Sequence, residues 1–183
     1  MVLTAVRQTP ASLRYAGALC RDDRCIVLAA ISKDPLCLQY AGNWYKNDFG
    51  TVLAAVEKHP LCLRYAGHAC RNNHEIVLRA VEISPLCLQY AGDACKSDRE
   101  FMRKAFEQTP RCMLYAPPAY QQDTALMHEA VRNNPLCLEY AGDACRDDRE
   151  LVLAAIRKNP ACRQFAGGVC CDDREVGLAA SAY

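Results

Sequence analysis

The sequence predicts an all-α fold, a right-angled stack of helix pairs: an α-solenoid of seven 25-residue repeats plus a partial eighth helix. Three observations predict it. Prolines recur at 10, 35, 60, 85, 110, 135 and 160, each 25 residues after the last and with no insertion or deletion between them. Five residues after each comes an aromatic, from Tyr15 to Phe165, and one step later an alanine, from Ala16 to Ala166. Within each copy the apolar residues recur at helical rather than strand spacing. Positions below are counted from the ladder proline as zero.

The first helix of each copy opens at the proline. Thr9, Asp34, His59, Ser84, Thr109, Asn134 and Asn159 precede it. Six of these seven are good N-caps, and proline suits a first helical turn because its missing N–H has no partner there anyway. Cysteine at +2, the aromatic at +5, alanine at +6 and +9 and cysteine at +10 form the stripe of one helix face. A lysine or arginine at +11 in most copies suits the helix's negative end.

The second helix starts at +12 or +13. Ser97-Asp98-Arg99-Glu100 and Asp147-Asp148-Arg149-Glu150 read as capping boxes, followed by an apolar set such as Ile76, Val77, Leu78, Ala80 and Val81. Both helices span about three turns, too short to stand alone in water, so each must lie on its neighbours. A leucine-rich repeat is the competing fold. The helical spacing opposes it, as does a proline where its strand would need an N–H. Met1 aligns with Ile26, and Glu175–Ser181 forms another second-type helix. Both end helices are therefore expected to lack polar caps and to be covered by another chain, by head-to-tail self-association or within a larger assembly.

With the unit in hand, Asp147–Cys162 and Pro135–Glu150 resemble the repeats of the "domain of unknown function 4116" family, whose pattern runs close to D-R-E-V-V-L-A-A-V-x-x-N-P-x-A-L-x-Y-A-S-x-x-L-R-x-D. The resemblance covers essentially the whole chain. It implies a helical repeat protein and carries no catalytic residues to transfer. The chain departs from that pattern by cysteine at +2 and +10, where the family tends to have alanine and leucine, and by glycine at +7, where it tends to have serine.

The chain has 183 residues, 51% of them hydrophobic and 23% charged, enough for a sizeable core. Its longest apolar runs, such as Ile26–Ile31, fall far short of the roughly 20 residues of a membrane span. The first residues lack a signal peptide's layout. The net charge of +1, from 22 basic and 21 acidic residues, announces no nucleic-acid or anionic-membrane partner.

Thirteen cysteines are many. Free cysteine behaves as a small buried hydrophobe, and the two ladders coincide with the apolar stripe. By helix rise, +2 and +10 lie roughly 12 Å apart. Equivalent positions in stacked helices lie about 8–10 Å apart, whereas a disulfide needs Cα atoms under about 7 Å. Packed, reduced thiols are expected, and with them a reducing intracellular compartment, the cytoplasm or an organelle interior such as stroma or matrix. Cys25 and Cys171 fall outside the ladders at otherwise polar positions and are expected to be exposed.

Chemistry is sparse. Cys62, His68, Cys70 and His74, and the vicinal pair Cys170-Cys171, lack metal-ligand spacing, and no metal or cofactor is expected. No phosphate loop or Ser/His/Asp grouping appears, so the chain is read as non-enzymatic. The basic ladder Arg21, Lys46, Arg71, Lys96 and Arg146 adjoins acidic or amide residues and is read as a self-neutralising edge, not a nucleic-acid groove. Two copies break the pattern, and these are the candidates for partner binding. Repeat two carries Trp44, Tyr45 and Phe49; repeat five carries Pro117, Pro118 and Tyr120, its prolines expected to shorten or kink the first helix. The leading expectation is a scaffold or accessory subunit binding another protein. The rival classes are a nucleic-acid-binding solenoid and a thiol-based metal or redox protein.

Overall fold

Each 25-residue copy folds as a helical unit, and no strand occurs among the described residues of the computed structural model, which are 1–181. The second-type helices are α1 (Val2–Gln8), α2 (Arg24–Lys33), α3 (Phe49–Lys58), α4 (His74–Ile83), α5 (Arg99–Gln108), α6 (Thr124–Asn133), α7 (Arg149–Lys158) and α8 (Arg174–Ser181). The chain divides into two compact units, Met1–Ser97 and Asp98–Tyr183. In the first, α1 packs on α2, α2 on α3 and α3 on α4; in the second, α5 packs on α6, α6 on α7 and α7 on α8. Each unit is an all-α stack of repeats.

The proline-led segment is not one helix, and this corrects the sequence reading. A 3₁₀ helix runs from the proline to the aromatic, as in Pro60–Tyr65 and Pro135–Tyr140. The following Ala-Gly is extended, with Ala66 at φ −64°, ψ 151° and Gly67 at φ −73°, ψ 171°. A short α-helix then covers about one turn, as in His68–Arg71 and Asp143–Arg146. The break is present in all seven copies, including repeat one, where Gly17 makes no bond to another repeat among the described residues, and repeat five, where Pro117 has no N–H; in the other five it turns the glycine N–H outward. That N–H donates not within its own segment but to the +11 carbonyl of the preceding repeat: Gly42 to Arg21 (2.9 Å), Gly67 to Lys46 (2.6 Å), Gly92 to Arg71 (2.7 Å), Gly142 to Gln121 (2.8 Å) and Gly167 to Arg146 (2.8 Å).

Two consequences follow for the core. In a 3₁₀ helix, residues three apart share a face, so Leu38, Leu63, Leu88 and Leu138 at +3 are fully buried together with cysteine at +2. The aromatic at +5, expected in the stripe, is half-buried in most copies and 82% exposed at Tyr15, and alanine at +9 is exposed at Ala69, Ala94 and Ala144. The second helices are capped one residue later than expected. Asp98 and Asp148, not Ser97 and Asp147, accept the N–H of Phe101 and Leu151 at 3.0 and 3.1 Å. Asp23, Asp48, Asn73 and Asp123 do the same in their copies. Glu100, displaced from the capping position, pairs with Arg103.

None of the thirteen cysteines joins a disulfide, and ten of them are buried. Several thiols donate across the stack: Cys145 Sγ lies 3.4 Å from the Gln121 carbonyl and Cys162 Sγ 3.4 Å from that of Pro135. A cysteine thus supplies a small apolar body and a weak donor that the alanine of the related repeats lacks. Burial pushes the thiols of Cys37, Cys62 and Cys112 up to about 12, and those of Cys87 and Cys145 up to about 11, from an ordinary 9.0.

The glycine contact is directly testable. A Cβ on Gly92 would lie 2.1 Å from Asn72 Oδ1, which caps the Ala94 N–H at 2.9 Å, whereas a Cβ on Gly17 meets nothing within 4 Å. Gly92→Ala is expected to destabilise by about 1–2 kcal/mol in urea unfolding and Gly17→Ala by less than about 0.5 kcal/mol. The thiols yield a pH prediction. The unfolded chain ionises them near 9, while the folded chain holds their protons to higher pH. Their stabilising contribution is therefore complete below pH ~9 and declines as pH rises toward 11–12. The urea midpoint should hold steady from pH ~7 to ~8 and fall above ~9, with a shallower fall in Cys62→Ala.

Candidate protein-binding surface

Repeat two breaks the pattern at two places in the first unit. Its short helix, Asn43–Asn47, places Trp44 where four other copies hold alanine and Tyr45 where five hold the +10 cysteine. One step in sequence separates their environments: Trp44 is 64% exposed and Tyr45 is 5% exposed. Tyr45 fills the cysteine slot, donating its hydroxyl to the Asp22 carbonyl at 3.3 Å and meeting the Trp44 ring edge-on at 4.7 Å between centroids. Tyr45 is therefore a core residue, which corrects its expected place on a partner surface: a side chain at a ladder position goes where the ladder goes.

Phe49 opens α3 and is 41% exposed between Asp48 and Gly50. Where other copies carry Glu75 or Glu150, Gly50 has no side chain, and a groove of about 390 Å³ opens between α2 and α3. Leu28, Ile31 and Ala54 give it an apolar floor, and Arg24, Asp48 and Lys58 a charged rim. A second groove of about 280 Å³ lies between α3 and α4, with Leu53 and Leu78 on its walls. Leu28, Leu53 and Leu78 thus form a row along one face of the unit. Sequence reasoning assigned Leu78 to the core. A signal against that was present: in the second unit the same position holds Arg103 and His128, which a sealed core would not accept, although Leu153 at that position is buried. There, Arg103 pairs with Glu100 and Glu107, and His128 lies 3.3 Å from Asp148.

In repeat five, within the second unit, Pro117 stands at the glycine position (φ −52°, ψ 136°) and Pro118 opens the short helix Pro118–Gln121. No helix is kinked or shortened by them, contrary to expectation, since every copy is already extended at this point. Pro118 is exposed and Pro117 half-buried. Tyr120 takes the cysteine slot, half-buried and edge-on to Phe106 at 6.4 Å.

The basic ladder does not neutralise itself as expected. Arg21 donates to the carbonyls of Ala16 (2.9 Å) and Arg14 (2.8 Å), Lys96 to Gln89 (2.8 Å) and Arg146 to Glu139 (2.6 Å), which satisfies the 3₁₀ helices' unpaired carbonyls. Cys25 and Cys171 are exposed. Among the described residues no three His, Cys, Asp or Glu side chains converge as a metal site, and no helix is long and apolar enough to cross a membrane.

The different roles of the two adjacent aromatics are measurable. Trp44 is the chain's one tryptophan, so its emission should be red-shifted and readily quenched by iodide. Trp44→Ala should cost under about 1 kcal/mol, while Tyr45→Ala should cost about 3 kcal/mol or more. Equal costs would mean that the two share one environment.

The repeat geometry is matched by comparison with known proteins. The model of a domain of unknown function (DUF4116) matches residues 1–46, 23–71, 48–94, 73–121 and 125–168, each window spanning about two of the 25-residue copies. No curated protein and no solved structure matches the chain. The five matches run in tandem through nearly all of the sequence, in register with the proline ladder, and the chain belongs to the DUF4116 family of helical repeats.

Proposed function

We propose that this chain is a non-enzymatic helical-repeat scaffold or accessory subunit that binds another protein through the irregular second repeat of its first unit. One observation carries the reading: Trp44 and Phe49 remain exposed at 64% and 41% in a copy whose other aromatic, Tyr45, is fully packed. Exposed aromatics beside an apolar groove match the composition of interface hot spots, in which tryptophan and tyrosine fill or cap a partner's pockets. Next to Phe49, Gly50 lacks the side chain that Glu75 and Glu150 supply in other copies, and the groove opens there. The ladder of buried, protonated thiols accords with a reducing compartment, since it gains nothing from oxidation and loses packing by it.

The test exchanges repeat two for repeat six at three positions: Trp44→Ala, Phe49→Arg and Gly50→Glu. Tagged wild-type and triple-variant chains are used for affinity capture from extracts of the native source, and captured proteins are identified by mass spectrometry. The variant is expected to keep its melting temperature within a few degrees, about the effect of 1 kcal/mol or less, and to lose a protein that the wild type retains. Identical capture by both chains would refute the assignment to this surface.

A further inference from the structure

The proline-led layer of the first unit carries positive charge that folding does not require. Four successive copies place a cation at +11: Arg21, Lys46, Arg71 and Lys96. Of these, Arg21 and Lys96 bond backbone carbonyls, and in repeat five the same position holds the neutral Gln121, whose Nε2 reaches the Met113 carbonyl at 2.7 Å. A carbonyl partner leaves the charge of an arginine or lysine in place. Arg14 and Arg64 add two more cations at +4. Against these six, the same segments (10–22, 35–47, 60–72 and 85–97) contain only Asp22 and Asp93 as carboxylates.

Among the described residues none of the six is in an ion pair. Burial first, and then repulsion from Arg21, lower the pKa of Lys46. Arg71 keeps a buried Nε–H with no hydrogen-bond partner. The charge is an uncompensated cost to the isolated unit. In the second unit, the corresponding segments hold Arg111, Arg146 and Arg163 with four carboxylates, so the excess is not a property of the repeat as such.

Apolar groups accompany the cations. Tyr15, Leu19 and Trp44 are 82%, 89% and 64% exposed on the same segments. The Arg14 guanidinium lies 5.6 Å from the Tyr15 ring centre, and that of Arg64 lies 5.8 Å from Tyr65 and 6.0 Å from Tyr90. A guanidinium stacked on a ring keeps its in-plane N–H fork available, and that fork matches a carboxylate.

We infer that the proline-led layer of the first unit docks an extended acidic segment of the partner protein, its carboxylates meeting the cation rows and its apolar side chains meeting Tyr15, Leu19 and Trp44. This rests on the protein-binding reading above and names the chemistry of the partner. Spacing agrees: stacked helices repeat every 8–10 Å or so, and about three residues of extended chain cover that distance at ~3.3 Å each. An acidic residue at every third position then keeps step with the repeats. Single-stranded nucleic acid is the other polyanion that aromatic and basic residues recognise. It fits less well, because guanidinium groups already occupy the tyrosine faces on which bases would stack. Leu19 offers no π-face, and the chain as a whole has only one positive charge in excess.

The single tryptophan is a built-in reporter. The intact chain is titrated with a synthetic Glu-Glu-Leu repeat peptide, with its Gln-Gln-Leu counterpart, and with a single-stranded RNA of matched charge, following Trp44 emission. The acidic peptide should produce a saturable blue shift that weakens as salt rises from about 0.05 to about 0.3 M, and the neutral peptide none. Arg21→Gln, Lys46→Gln and Arg71→Gln together, each reproducing the neutral group that Gln121 supplies in repeat five, should weaken acidic-peptide binding at least tenfold. Arg64→Gln, which removes no carbonyl bond, should weaken it severalfold and guards against a folding defect in the triple variant. No response to the acidic peptide, an equal response to the neutral one, or stronger binding of RNA would each overturn the inference. If partner capture still depends on Trp44 and Phe49 while the acidic peptide fails, the protein-binding surface stands and its acidic specificity falls; if capture is also unchanged in that variant, both fall.

Discussion

The extended step after each aromatic, which interrupts every proline-led segment, is the constraint on which the rest of the structure depends. It splits the segment into a 3₁₀ turn and a single α-turn, and in five copies it presents the glycine N–H to the +11 carbonyl of the preceding repeat. The break brings the glycine so close to the previous copy that a Cβ there would overlap the +12 side chain of Asp22, Asn47, Asn72, Gln122 or Asp147. Those side chains gain a use from the approach: Asn47, Asn72 and Asp147 cap the N–H of Ala69, Ala94 and Val169 in the next repeat. Hydrogen bonds that would ordinarily form inside a helix form between repeats. The stack is thereby tied together by backbone as well as by apolar contact.

The ladder cysteines follow from the same geometry. The +10 side chain reaches the preceding copy where Cys145 meets the Gln121 carbonyl and where Tyr45 meets that of Asp22. Both side chains offer an apolar body and a donor for a carbonyl of the earlier repeat. Burial raises the pKa of the Cys70 and Cys145 thiols and so holds them protonated. The exposed thiols, Cys25 and Cys171, are those that stand outside the ladders.

Surface character is then decided by what the stack does not need. Side chains at +9, +14 and +18 differ between copies: Trp44 against alanine in four others, Phe49 against arginine in four others, and Arg103 and His128 against leucine in five others. The cations at +11 occupy a middle case, with a bonding role that glutamine fulfils and a charge left over for a partner.

The sequence by itself determined the all-α repeat fold, its 25-residue register, the capped second helices and the inward cysteines, because a period repeated seven times averages out local ambiguity and because apolar side chains must be buried wherever they recur. It marked Trp44 and Phe49 through their departure from the other copies. Only the tertiary structure decided that the proline-led helix is broken, at an extended step whose glycine N–H bonds the preceding repeat in five copies. It moved the helix caps by one residue for a related reason: Asp98 and Asp148 reach the N–H three residues on once the short helix has ended at its own turn. It also placed Tyr45 in the core and Leu78 at a groove, which the hydrophobicity of either residue alone does not tell and only comparison between copies hints at.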